Sequence, residues 1–195
     1  MNMVKICFIG AGSTIFAKNV LGDAMLTSSL QDAEIALYDI DENRLNESEL
    51  MLQTINKNSN QSRAKIQSFS DRKEALKDAN FVINAIQVGG YKPSTVIDFE
   101  IPKKYGLQQT IGDTTGIGGI FRGLRTLPVM FDIAKDMEEV CPDAWLLNYT
   151  NPMAILTMGM LKATKIKTVG LCHSVQVCVP ELFAHLGIKD QYNLD

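Results

Sequence analysis

The stretch that most constrains this chain is its opening run, Val4-Lys5-Ile6-Cys7-Phe8-Ile9, which breaks at Gly10-Ala11-Gly12 and continues through Ser13-Thr14 into an amphipathic segment. Ile15, Phe16, Val20, Leu21 and Met25 recur there at helical spacing. A buried strand, a glycine turn and a helix in that order bring backbone N–H groups together at the helix start, where a pyrophosphate would sit. Gly10 permits the tight turn, and Gly12 lets a phosphate approach the backbone. The third glycine of the fingerprint is absent, its place held by Ile15. The helix is therefore expected to stand slightly further from the strand, or the motif to be a variant one. A second strand, 34–38, ends in Asp39, 27 residues after Gly12. A carboxylate at that tip accepts ribose hydroxyls and repels a 2′-phosphate, which favours NAD over NADP.

Strand and helix alternate along the rest of the chain. Strands are expected near 4–9, 34–39, 64–69, 81–86, 145–149 and 167–171, with their carboxyl ends on one edge. That pattern predicts an α/β fold of Rossmann-like type, a doubly wound, mostly parallel sheet with helices on both faces. Asn43 to about Lys57 reads as a helix with a polar exit from Asn56 to Ser62, and Asp71 with Glu74 as a capping pair. The run 81–86 is apolar apart from Asn84, as in a strand buried on both faces. It ends in a second glycine turn, Gln87-Val88-Gly89-Gly90, expected to border the cofactor. A helix follows from Ser94 to Tyr105, which Pro102 should shorten or kink. Leu107 to Gly123, with five glycines, reads as an irregular segment, either an active-site loop or a surface connection. Arg122 and Arg125 then begin a long helix to about Val140, facing either an anionic ligand or solvent.

Composition narrows the partners. With 195 residues, 46% of them hydrophobic and 21% charged, the chain is expected to form one domain over 1–195. A net charge of −3 spread over both signs, without a basic block, argues against nucleic acid and against a membrane surface. No apolar run is long enough to span a bilayer and Met1 to Ile9 leads straight into a core strand, so a cytoplasmic location is expected. Cys7, Cys141, Cys172 and Cys178 lie in or beside apolar segments without a CxxC pair, as reduced thiols do.

Two strand ends carry the remaining chemistry. The strand 145–150 stops at Asn151-Pro152, where proline ends the pairing and holds Asn151 at the ligand edge. The strand 167–171 runs into Cys172-His173-Ser174 at the same edge. Cysteine and histidine at a strand tip can bind a metal or move protons, or can be structural.

These residues resemble glycoside hydrolase family 4 and, within it, the melibiase-type α-galactosidases. The resemblance lies in Phe8-Ile9-Gly10-Ala11-Gly12-Ser13-Thr14, Asp39-Ile40-Asp41, Val88-Gly89-Gly90-Tyr91, Gly118-Gly119-Ile120, Leu124-Arg125-Thr126, Asn148-Tyr149 with Asn151-Pro152-Met153, and Gly170-Leu171-Cys172-His173-Ser174-Val175. It covers almost the whole chain, and the Cys-His-Ser-Val tetrapeptide is its most discriminating part.

The resemblance implies an NAD-dependent route, an exception to the usual two-carboxylate hydrolysis of glycosides. NAD takes hydride from carbon 3 of the sugar, a base removes the acidified proton on carbon 2, the glycosidic oxygen leaves, water adds and the hydride returns. It further implies NAD at Gly10, Gly12, Ser13, Thr14, Asp39, Val88 and Gly89, and a divalent cation, manganese, with Cys172 as one ligand. Asn151 would contact a sugar hydroxyl, and His173 would assist the leaving group or stand behind the ligands. The family's second metal ligand, a histidine, and its tyrosine base are expected beyond Asp195, in a further domain that completes the catalytic site. His185, beside Leu182 and Leu186, is read as a packing or surface residue. The expected partner is an α-galactoside or related sugar, and the longer protein could form a homo-oligomer. Two other readings stay open, a lactate or malate dehydrogenase-like enzyme and a nucleotide-binding module without catalysis.

Overall fold

The computed structural model of the protein describes residues 3–109, 116–172 and 174–188. Among the described residues there are six strands: β1 (Lys5–Ile9), β2 (Glu34–Tyr38), β3 (Lys65–Phe69), β4 (Phe81–Asn84), β5 (Trp145–Asn148) and β6 (Lys167–Gly170). Every pair is parallel and the order across the sheet is β3-β2-β1-β4-β5-β6. This is the doubly wound Rossmann arrangement, whose strand order reverses between β1 and β4 and opens a crevice at their carboxyl ends.

Alternation along each strand sorts its side chains onto two cores. Ile6 and Phe8 of β1, with Ile35, Leu37 and Ile83, face α1 (Thr14–Leu26) and α2 (Glu42–Ser59), which contribute Ala17, Leu21, Met25, Leu45 and Leu52. Cys7 and Ile9, with Ala36, Val82 and Leu146, form the other core with α3 (Arg72–Leu76), α5 (Gly116–Val140) and α6 (Met153–Ala163). Between β4 and α5 the chain makes a wide helical turn at Gly90–Thr95, broken by the extended backbone of Lys92, and then α4 (Val96–Lys104). The last helix is α7 (Ser174–Leu186). No helix among the described residues is long and apolar enough to cross a membrane.

One local expectation is corrected and two are refined. The glycine-rich stretch is helical from Gly116 onward, so the long helix starts before Arg122. Its glycines continue a buried stripe, Gly119, Gly123, Thr126, Met130, Ile133 and Met137, whose spacing is that of one helix face. Gly123 must be small because a Cβ there would stand 3.0 Å from Ile155 Cγ2. The polar exit of α2 is exposed except at two asparagines, which are buried: Asn56 Nδ2 donates to the Ala64 carbonyl at 2.8 Å and Asn60 Nδ2 to that of Gln31 at 2.7 Å. These amides satisfy carbonyls that the helix end and loop would otherwise bury unpaired. Finally, α4 runs two residues past Pro102. Proline lacks the N–H that would reach the Asp98 carbonyl, and Gln109 Nε2 donates there instead, at 3.3 Å.

Candidate nucleotide-binding site

The first turn is bound to β2 and α2 through its backbone. The Gly10 and Ala11 N–H groups both donate to the Tyr38 carbonyl, at 2.9 and 3.1 Å, and the buried Ser48 hydroxyl donates to the Ala11 carbonyl at 2.7 Å. Gly10 has φ +90°, and a Cβ on it would meet the Ala85 carbonyl oxygen at 2.7 Å, because the chain leaving β4 passes directly over it. Gly12 is required for a reason the motif did not supply. The Asp39 carboxylate occupies the space a Cβ would need, with Oδ2 2.8 Å from that position and accepting the Gly12 N–H at 2.7 Å. Asp39 Oδ1 accepts the Asp41 N–H at 2.9 Å.

With Gly12 committed to Asp39, the donors left for an anion are those of the first turn of α1. The Thr14, Ile15 and Phe16 N–H groups have no carbonyl four residues back within the helix. Ser13, at the N-cap position, makes no side-chain capping bond, and no acidic side chain stands in the first turn. The helix dipole there is uncompensated, as an anion site requires. Ile15 is 77% exposed, and the buried face of α1 is made by Ala17, Leu21 and Met25.

The second turn follows β4. Gly89 has φ +82°, and a Cβ would run into Ser94 Oγ. Arg125 of α5 donates through Nε to the Val88 carbonyl at 3.3 Å, and through Nη1 and Nη2 to Asp98 Oδ1 and Oδ2 at 3.1 and 2.6 Å. Arg125, with its side chain 26% exposed, is thus bound to Asp98 and to the Val88 carbonyl.

Beneath the third turn is a buried polar network. Asn84 Nδ2 donates to Asn148 Oδ1 and to Thr150 Oγ1, both at 3.0 Å, and Asn148 Nδ2 donates to the Thr150 carbonyl at 3.2 Å. It holds the chain between β5 and the half-buried Asn151, whose peptide to Pro152 is cis and leads into α6. The Leu171 N–H donates to the Asn148 carbonyl at 2.9 Å, which brings exposed Cys172 beside the tip of β5.

The candidate residues therefore follow the carboxyl ends of five adjacent strands: Asp39 after β2, Gly10 to Thr14 after β1, Val88 and Gly89 after β4, Asn151 after β5 and Cys172 after β6. His173 lies outside the described residues. Exposed His185 sits on α7 with its ring Nδ1 2.7 Å from the Glu181 carbonyl. Among the described residues no three His, Cys, Asp or Glu side chains gather as a metal site would require. Sequence reasoning missed Ser48, Asp98 and the specific role of Arg125. Only Asn84, a polar residue in an apolar strand, was a visible signal.

Residues 5–188 match the family described as Family 4 glycosyl hydrolase. The chain is 71% identical over 187 residues to an alpha-galactosidase of Bacillus subtilis, covering 96% of this chain and 43% of that protein. It is similar in structure to the 6-phospho-beta glucosidase of Thermotoga maritima, solved with manganese, NAD+ and glucose-6-phosphate. That match has a TM-score of 0.81 and 27% identity, and covers 95% of this chain and 44% of that one. A lactate dehydrogenase of Eimeria maxima shares the fold alone, at TM-score 0.60 and 14% identity, over 88% of this chain and 44% of its own. The chain thus spans less than half the length of these relatives.

Proposed function

Because the chain belongs to the family 4 glycosyl hydrolases, we propose that it is the nucleotide-binding part of an enzyme that hydrolyses α-galactosides with NAD and a divalent cation, manganese. The observation that carries the sugar assignment is the 71% identity to the Bacillus alpha-galactosidase. NAD, when bound, supplies a reversible hydride acceptor. The residues present suit it. The uncapped start of α1 at Ser13 and Thr14 offers N–H donors to the pyrophosphate. Asp39 keeps acceptor capacity beyond its two backbone bonds, because each carboxylate oxygen carries a further lone pair for a ribose hydroxyl. Val88 and Gly89, across β1 from Asp39, border the other half of the dinucleotide.

Asn151, at the tip of β5, orients a sugar hydroxyl toward that half, and His173 protonates the leaving oxygen. Cys172 supplies one thiolate. One thiolate does not make a divalent-cation site, and the described residues add no cluster to it. The remaining ligands and the base that takes the carbon 2 proton are assigned to the further length that the relatives carry.

The test is an assay on aryl α-galactoside, α-glucoside and α-galacturonide with NAD, manganese and a reductant. It compares this chain with a longer one extended to the relatives' length. The longer chain should prefer the α-galactoside. The 195-residue chain should bind NAD yet turn over near background, since loss of a positioned base alone costs about 10²–10⁴-fold. Equal turnover by both would place base and metal site within residues 1–195, and preference for another sugar would reject the α-galactoside assignment.

A further inference from the structure

We propose that Arg125 is a positioning residue of the nucleotide site, acting through the Val88–Gly89 turn without touching the ligand; this rests on the NAD-binding reading above. The guanidinium uses three N–H groups in three fixed directions. Two engage both oxygens of Asp98, at 3.1 and 2.6 Å, and the third, Nε, holds the Val88 carbonyl at 3.3 Å. Asp98 is only 1% exposed, so the fork is anchored on a buried carboxylate rather than on a mobile surface group. Gly89 then lies against the stem of the same side chain, 3.4 Å separating its Cβ position from Arg125 Cδ. The turn has no freedom to shift toward α5, and its positive φ at Gly89 leaves it no alternative residue.

The same stretch of α5 sets the neighbouring turn. Two residues before Arg125, the Cβ position of Gly123 is 3.4 Å from Pro152 Cγ and 3.0 Å from Ile155 Cγ2. One rigid helix therefore spaces the turn after β4, assigned to the cofactor, from the turn carrying Asn151, assigned to the sugar. A lysine at 125 would keep the charge opposite Asp98 but offers a single ammonium, unable to grip both carboxylate oxygens and the Val88 carbonyl together.

A purely structural ion pair would look the same in these contacts, so the test must separate the two. Two variants of this chain are compared with the unsubstituted one: Arg125→Lys, and the double variant Arg125→Met with Asp98→Leu, which removes both charges and orphans neither. Calorimetry gives Kd for NAD and for AMP, and hydrogen exchange reads the amides of 86–90. AMP reports on the Asp39 side of the crevice, and NAD on both sides. The expected result is about a tenfold weaker Kd for NAD, the effect of one lost hydrogen bond of ordinary strength. AMP binding should stay within twofold, and amide exchange at 86–90 should speed up. Folded variants that bind NAD as the unsubstituted chain does would overturn the role of Arg125 and leave the nucleotide reading standing. Equal weakening of NAD and AMP would mean general loosening and would also overturn it. If the unsubstituted chain binds no NAD, the nucleotide reading falls, and this role with it.

Discussion

Alanine at Gly10 and alanine at Gly12 should damage different properties, although the two residues belong to one motif. At Gly10 a side chain meets two penalties. Its φ of +90° is a region L-residues rarely adopt, at about 1–3 kcal/mol. Its Cβ also falls 2.7 Å from the Ala85 carbonyl oxygen and 2.8 Å from its carbon, backbone atoms that hydrogen bonding of Ala85 to β1 keeps in place. Overpacking against such atoms costs about 1–3 kcal/mol more. At Gly12 the nearest obstruction is a side chain, Asp39, with Oδ2 2.8 Å and Cγ 2.9 Å from the Cβ position, and Arg44 Cβ follows at 3.1 Å. Asp39 can rotate away, giving up the part-buried bond from the Gly12 N–H, a loss of about 1–2 kcal/mol. Taking about 3 kcal/mol for Gly10→Ala and 2–4 °C per kcal/mol for a domain of this size, its Tm should fall by about 6–12 °C. Gly12→Ala should lose about half of that. NAD affinity should fall more in Gly12→Ala at temperatures where both variants are folded, because Asp39 has been displaced from the ribose position. Scanning calorimetry and NAD titration measure the two effects. A Tm loss in Gly12→Ala equal to or larger than that in Gly10→Ala would refute the distinction between backbone and side-chain obstruction.

Asp39→Asn keeps an acceptor for the Gly12 N–H while removing the charge, so titration should show NAD weakened and the preference over NADP narrowed, with little change in Tm; tighter NADP binding by the unsubstituted chain would reject this role. Burial pushes the Cys141 thiol up to about 11 and Cys7 well above the usual thiol range, Cys7 lying within β1. The folded chain therefore keeps these protons while the unfolded chain releases them from about pH 9. Their contribution to stability is whole below pH 9 and declines as pH rises toward 11 for Cys141, and further for Cys7. Urea midpoints measured from pH 8 to 10.5 should fall less steeply for Cys7→Ala with Cys141→Ala than for the unsubstituted chain, and parallel curves would refute the assignment.

The relation between sequence and structure divides by the range of the forces involved. Strand positions and their parallel pairing were legible because apolar runs of four to six residues, separated by helical periods and punctuated by glycine or proline, admit few other arrangements. Asp39, Asn151 and Cys172 could be placed at the ligand edge because each lies within three residues of a strand's carboxyl end, and position along a parallel strand determines which end of the sheet a residue reaches. The glycines of 116–123 were misread as irregular, since composition marks glycine as mobile, whereas they lie in α5, where Gly123 packs against Ile155 and Pro152. Ser48 and Asp98 carried no local signal, and for Arg125 the sequence offered a charge at a helix start without its partners. Their roles depend on partners 37, 27 and 37 residues away that meet only when the sheet is assembled. Gly12 shows both sides at one position: local sequence required a turn there, but only the tertiary approach of Asp39 decides why no side chain is tolerated.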